Sequence, residues 1–309
     1  MAKYITQRVI YMIITLFLIA SLSFFLMKLL PGTPFTAQSK LSADQIHIMN
    51  EKYGLNDPVP VQYAHYMLDL LKGDLGTSFQ FDNRDVSTLI AERIGPSFTL
   101  GIESMIIGTV LGVLLGLLAA LKQNTWIDYL CTFIAVVGKS IPSFVFAALL
   151  QYWVGVKLGI LPVAYWNGFS YTILPSISLA MFPLAIVARF MRTEMIDVLG
   201  SEYIVLAKAK GASGAEIAFK HGLRNALIPI ITLIGPLAVG LMTGSLVIEN
   251  IFAIPGIGYQ FVTSITTNDF GVIMGTTILF AAMLVVIILI VDLLYGVIDP
   301  RIRLSGGKK

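Results

Sequence analysis

Few residues in this chain have the type and spacing to do chemistry. Gly138-Lys139-Ser140 has the ending of a phosphate-binding loop, in which backbone N–H groups and a lysine cradle nucleotide phosphates. That loop needs a glycine five residues before Gly138, and Phe133 stands there. Gly211-Ala212-Ser213-Gly214-Ala215 comes within one residue of a nucleophile elbow, but Ala215 replaces the final glycine and no strand leads into it. The three histidines, His47, His65 and His221, form no His-Glu-x-x-His pattern, and Cys131 is the single cysteine. One cysteine excludes an internal disulfide and a cysteine metal cluster. No catalytic residue, metal site or cofactor site is expected, and if ATP drives this protein, ATP and Mg must be held by another polypeptide.

Two features survive this screen. Lys139 lies in an apolar run, where a charge is costly and marks a functional position by default. With Ser140 and Pro142 beside it, an exposed-carbonyl site lining a translocation path is one reading, and a lysine that snorkels or pairs with a neighbouring helix is the other. The second feature is the basic stretch EYIVLAKAKGASGAEIAFKHGLRNALIP, Glu202 to Pro229. Good helix formers run from Glu202 to Lys210, Lys208 and Lys210 suit a helix C-terminus, and Gly211 stands at a C′ position. Ser213 and Glu216 then have the spacing of a capping box. The stretch reads as helix, short turn, helix.

These elements sit in an oily chain. Of 309 residues, 56% are hydrophobic and only 13% charged, about half the charged share of an ordinary soluble domain. Mean hydropathy is +0.83. The fold class is therefore all-α integral membrane, since barrel strands would alternate polar and apolar residues. Six spans are expected at Val9 to Leu30, Phe98 to Leu121, Asp128 to Lys157, Thr172 to Arg192, Leu227 to Ile248 and Gly275 to Ile298. The third is interrupted by Pro142 and is expected to tilt, kink or divide. The first is expected to be an uncleaved anchor in preference to a cleaved signal peptide, because its apolar run is long for a signal peptide and Leu30-Pro31-Gly32-Thr33-Pro34 is not a small-residue cleavage site.

Basic residues set the orientation. Lys3, Arg8, Lys122, Arg192, Lys208, Lys210, Lys220, Arg224, Arg301, Arg303, Lys308 and Lys309 fall on one side, with both termini. That side is cytoplasmic. The connector Leu158 to Tyr171 has no charge and faces outward. The domain layout is an N-terminal anchor span at 1–30, an extracytoplasmic cap segment at 31–97 and a transmembrane core at 98–309. In the cap, Ser42-Ala43-Asp44-Gln45 has capping-box form, Gly54 is a helix stop, and Asp85 to Ile94 reads as a short helix. Gly108, Gly112 and Gly116 recur every four residues and invite close helix packing. Glu103, Glu249 and Asp292 sit near span ends, where water or headgroups solvate them.

The helix pair lies between spans four and five, in residues 193–226. A DNA-binding helix-turn-helix is excluded because no third helix fits there. A solvated, positive-inside connector explains the charges but not the apolar run Tyr203 to Ala207. A slim apolar helix suits a partner's groove.

At this point the residues resemble a family. Glu202-Tyr203-Ile204, Ala207-Lys208-Ala209-Lys210-Gly211, His221, Leu223, Arg224-Asn225-Ala226 and Pro229 are similar to the cytoplasmic loop of binding-protein-dependent ABC importer permeases of the peptide-permease branch. Against the general signature of that loop, Ala207, Gly211 and Leu223 agree, and Val205, Leu206, His221 and Arg224 depart. Pro96-Ser97-Phe98-Thr99-Leu100-Gly101, Ser140-Ile141-Pro142-Ser143-Phe144, Glu249 to Gly258 and Val297 to Arg301 are similar to the same branch. The resemblance implies a permease subunit of the bacterial cytoplasmic membrane, embedded in lipid, with oligopeptides as cargo and dipeptide or nickel importers as alternatives. It also implies a second homologous permease subunit, one or two ABC ATPase subunits docking at Glu202, Tyr203, Ala207, Lys208, Lys210, Gly211 and Ala212, and an extracytoplasmic peptide-binding protein. Nucleic acid is not implied. A secondary transporter would need midplane carboxylates and an internal repeat, neither of which is visible. A membrane scaffold that moves nothing is the remaining class.

Overall fold

A computed structural model describes residues 2–29, 50–51 and 54–298, with side chains from 5 to 290. The capping box at Ser42 to Gln45, His47, the tail basics Arg301, Arg303, Lys308 and Lys309, and the Asp299-Pro300-Arg301 motif lie outside the described residues, as do the side chains of Lys3 and Asp292. Among the described residues the regular structure is helical, joined by turns and irregular connectors, and the strand-type pairing is an isolated bridge between Thr77 and Asp85.

The helices are α1 (Ala2–Leu29), α2 (Val59–Leu71), α3 (Val86–Leu121), α4 (Trp126–Ser140), α5 (Ser143–Lys157), α6 (Ile173–Leu199), α7 (Glu202–Ala209), α8 (Gly214–Met242), α9 (Leu246–Ile251), α10 (Ile257–Thr266) and α11 (Phe270–Ile298). Five of them are long and apolar enough to cross a membrane: α1, α3, α6, α8 and α11. The pair α4 and α5 makes a sixth if counted as one span, bent by 102° at its break. The bend has a local cause: Pro142 forbids helical geometry to Ile141, which is extended at φ −82° and ψ 122°.

Two boundaries differ from expectation. The short helix at Asp85 to Ile94 is no separate element, because α3 runs from Val86 through Pro96 into the span. An internal proline deletes one ladder bond and kinks a helix, whereas stopping it would strand further backbone groups. The fifth span stops at Met242, and Gly244 at φ +86° turns the chain into α9.

The chain forms two compact units, Met1–Gly95 with Gly256–Val286, and Pro96–Pro255 with Ile287–Lys309. In the first, Phe24 and Phe25 of α1 meet Tyr63 and Tyr66 of α2 with ring centroids 5.2 to 5.5 Å apart. Burial pushes the Tyr66 hydroxyl up to about 12. Val86, Leu89 and Ile90 pack with Ile257 and Val272. Gly271 is required by close approach, since a Cβ there would lie 2.4 Å from the Thr77 carbonyl oxygen. Next to it, buried Asp269 accepts a hydrogen bond from Ser78 Oγ.

In the second unit α6 is the central helix, buried along most of its length from Leu174 to Met195. Gly108, Gly112 and Gly116 of α3 lie directly against it: added Cβ atoms would meet Ala180 O at 2.8 Å, Leu184 O at 2.9 Å and Ala188 O at 2.5 Å. The glycine repeat therefore lets backbones touch. Two carboxylates expected to be solvated are engaged instead. Glu249, 1% exposed, accepts from Ser97 Oγ at 2.6 Å, and Glu103 accepts from Ser176 Oγ at 2.7 Å. Burial away from water makes a bonded partner obligatory.

Replacing Gly116 by Leu in the isolated subunit should lower its thermal midpoint in detergent, since overpacking costs about 1–3 kcal/mol. Gly240→Ala, with nothing within 4 Å of the added atom, should leave it unchanged or raise it. The opposite ranking would contradict the packing. Around Asp269, burial lifts the carboxyl above its ordinary value and outweighs the opposing hydrogen bonds from Ser78 and nearby backbone N–H groups. The folded unit then holds a proton that the unfolded chain releases, so stability falls as pH rises from the ordinary carboxylate range through the lifted value. Hydrogen exchange at 77–85, corrected for its intrinsic rate, should speed up as pH rises above the ordinary carboxylate range in wild type, and this pH dependence should be lost in Asp269→Asn.

Candidate functional site

The candidate site is the connector that joins α6 to α8. Ser201 ends α6 by donating its Oγ to Val198 O at 2.6 Å, and α7 starts at once with Glu202 in its first turn, where a carboxylate suits the helix dipole. Ile204 is fully buried and anchors α7. The end of α7 is a Schellman motif. Ala212 N donates to Ala207 O at 3.1 Å and Gly211 N to Lys208 O at 3.0 Å, with Gly211 at φ +83°. The next helix is capped as its spacing predicts, Ser213 Oγ accepting from Glu216 N at 3.2 Å. The Glu216 side chain does not complete the box; it pairs with Lys220 at 2.9 Å on the surface, an i,i+4 contact of small energetic weight.

The first turns of α8 hold the pair to the core. Ile217–Leu223 is wound as a π-segment, and Gly222 faces α6 so closely that a Cβ would lie 2.4 Å from the Met195 methyl carbon. Ala218 and Ala226 join Met191 and Met195 in one buried cluster with Leu117 and Ala120 of α3. Asn225 Nδ2 donates to His221 O at 2.8 Å and to Tyr203 Oη at 3.2 Å, tying α8 to α7. The Glu-Tyr-Ile and Arg-Asn-Ala stretches thus have physical roles as anchor and tie.

Between its exposed charges the pair presents large apolar side chains outward. Val205 and Leu206 are 61% and 56% exposed. Tyr203, Leu206, Ala207, Lys210, Gly211, Ala212, Glu216 and His221 line a groove of about 450 Å³. Of the sequence-expected docking residues, Tyr203, Ala207, Lys210, Gly211 and Ala212 come together here, whereas Glu202 and Lys208 are exposed and do not line it. The slim floor and oily rim of the groove can seat another protein surface.

Lys139 and Ser140 form the last turn of α4 and Pro142 opens α5, all three exposed at the bend. Gly138 belongs to a helix packed on Met181, with a would-be Cβ 3.2 Å from its carbonyl oxygen. The Gly138-Lys139-Ser140 resemblance to a phosphate loop is therefore a helix end. Among the described residues, no three His, Cys, Asp or Glu come together as a metal would need.

Sequence reasoning missed one ion pair. Arg192 of α6 grips Asp128 of α4 with Nε to Oδ1 and Nη2 to Oδ2, both at 2.7 Å. Asp128 also accepts from Asn124 N at 3.0 Å. By sequence alone Arg192 counts only as a positive-inside charge. The available signal was Asp128 itself, an acid in the first turn of an otherwise apolar helix.

Residues 112–304 match the family of binding-protein-dependent transport system inner membrane components, and residues 1–101 match its N-terminal membrane component family. The chain is 49% identical to the dipeptide transport system permease DppB of Lactococcus lactis over 98% of its own length and all of that protein's. It is 43% identical to the oligopeptide transport system permease OppB of Haemophilus influenzae, with 98% and 100% covered. The fold is similar to an inward-facing MetNI methionine ABC transporter structure, at TM-score 0.55 and 16% identity, covering 69% of this chain and 97% of that one. This multi-pass membrane chain therefore belongs to the inner membrane component family of binding-protein-dependent transport systems.

Proposed function

We propose that this chain is the permease subunit of an ATP-driven importer of peptides, forming half of a translocation pathway and receiving force through α7. The observation that carries the reading is the connector: a helix with exposed apolar side chains, anchored by buried Ile204, closed by a Schellman turn, tied to α8 by Asn225 and, through Gly222 of α8, seated on Met195 of α6. A surface built this way moves only together with the helix it is fastened to. Peptide cargo is supported by the full-length similarity to named dipeptide and oligopeptide permeases. Oligopeptides are the primary reading, and the 49% identity to a dipeptide permease favours dipeptides as the second.

The chain itself catalyses nothing in this reading. One or two ABC ATPase subunits hold ATP and Mg and seat against the groove, a second homologous permease completes the pathway, and an extracytoplasmic binding protein delivers the peptide. Lys139, Ser140 and Pro142 line the path at the bend. The termini and α7 are cytoplasmic, and the segment between α1 and α3 caps the outer side.

Orientation is tested by thiol labelling. With Cys131 replaced, a cysteine at the exposed position Ser170 should react with an impermeant reagent in intact cells, and one at Ser213 should not. The reverse pattern would reject the topology. Docking is tested at Ala207. A carboxylate there would be buried without a partner on assembly, at about 1–3 kcal/mol or more, which is one to two decades of affinity. Ala207→Asp should leave the subunit in the membrane with its fellow permease but strip the ATPase in a pull-down and abolish peptide uptake. Normal ATPase retention with normal uptake would return the stretch to a solvated connector.

A further inference from the structure

The bidentate pair between Asp128 and Arg192 stands apart from the other ion pairs described at short range. Lys72 with Asp69, Arg84 with Glu92 and Lys220 with Glu216 are exposed surface contacts between residues no more than eight apart. Asp128 and Arg192 join two different helices, and the Asp128 side chain is 3% exposed.

Elsewhere on the α4 face against α6 the buried residues are small, Cys131, Ala135 and Gly138, and a Cβ added at Gly138 would lie 3.1 Å from the Met181 methyl carbon, 3.2 Å from the Met181 carbonyl oxygen and 3.7 Å from the Ala185 Cβ. Asp128 to Gly138 is ten residues along α4, and Arg192 back to Met181 is eleven along α6. At 1.5 Å per residue both runs measure about 15–17 Å, so the two helices lie antiparallel, matched between an ion pair at one end and a glycine contact at the other. A face of Cys, Ala and Gly fixes separation but resists sliding poorly. A guanidinium fork on a carboxylate fixes position in two directions, because both parallel bonds break when either helix shifts. The same end of α6 is held by Gly116 of α3, where an added Cβ would lie 2.6 Å from the Met191 Cβ, and through Met195 by Gly222 of α8. Beyond it α6 leads directly into α7.

We propose that Asp128 and Arg192 are positioning residues that lock the register of α4 on α6, so that displacement of α7 is delivered to the bend at Ile141–Pro142. This rests on the permease reading above. Neither residue touches cargo. Their role is to make α4 and the Lys139 turn travel with the docking pair and not slip past it.

The assembled transporter, reconstituted in liposomes with its binding protein, gives peptide uptake and ATP hydrolysis in the same vesicles. Arg192→Gln alone strands the buried Asp128 carboxylate, and Asp128→Asn alone leaves the part-exposed Arg192 without its partner, so either single change disturbs the fold as well as the register. The deciding variant is therefore the neutral double, Asp128→Asn with Arg192→Gln, alongside Arg192→Lys, which keeps the charge without the fork. The double variant should reach the membrane at normal level, retain its ATPase and hydrolyse ATP within about twofold of wild type, while peptide moved per ATP falls tenfold or more. Arg192→Lys should fall between. An unchanged ratio of uptake to hydrolysis in the double variant would overturn the proposal, whether both rates stay normal or fall together. Failure of the double variant to assemble overturns it too, because the pair would then serve the fold alone. If the wild-type vesicles take up no peptide, it is the permease reading that fails.

Discussion

The second unit depends on the close approach of α3 to α6. Three glycines one turn apart let the α6 backbone lie against the α3 axis, with would-be Cβ atoms 2.5 to 2.9 Å from its carbonyl oxygens. In hydrocarbon no hydrophobic force pulls helices together, so such van der Waals contact, with interhelical hydrogen bonds, must supply much of the association. Because α6 is seated this way, Met191 and Met195 are positioned to receive Ala218, Gly222 and Ala226 of α8. The foundation of the connector is therefore laid inside the bundle.

From that foundation the connector gains its outward character. Ile204 is spent on anchoring and Tyr203 is tied to Asn225, which leaves Val205, Leu206 and Ala207 facing out. Water does not favour an apolar helix on a polar surface, and the lysines nearby do not shield it. In the proposed reading, burial against a partner would resolve this conflict, with the Schellman turn at Gly211 keeping the helix short.

Much of this was legible in the sequence for identifiable reasons. Composition and long apolar runs specify spans because backbone groups in lipid must bond internally. The Gly211 stop and Ser213 cap were readable because caps are local interactions within a few residues. Helix continuity through Pro96 was not, since propensity marks a proline as a break and only surrounding packing decides otherwise. The end of α8 at Met242 was hidden for a similar reason: Thr243-Gly244-Ser245 is a weak signal within an apolar run. Asp128 with Arg192, and Ser97 with Glu249, escaped because their partners are 64 and 152 residues apart, and one sequence carries no record of such pairing.

The central claim is that α7 is a covered surface in the working transporter and a bare one in the free subunit. A single cysteine at position 207, in a chain with Cys131 replaced, reports this through its rate of reaction with a small water-soluble maleimide. The account predicts rapid labelling of the isolated subunit and at least tenfold protection once the ATPase is bound, reversed when the ATPase is stripped. Equal labelling in both states, with the ATPase demonstrably present, would contradict it.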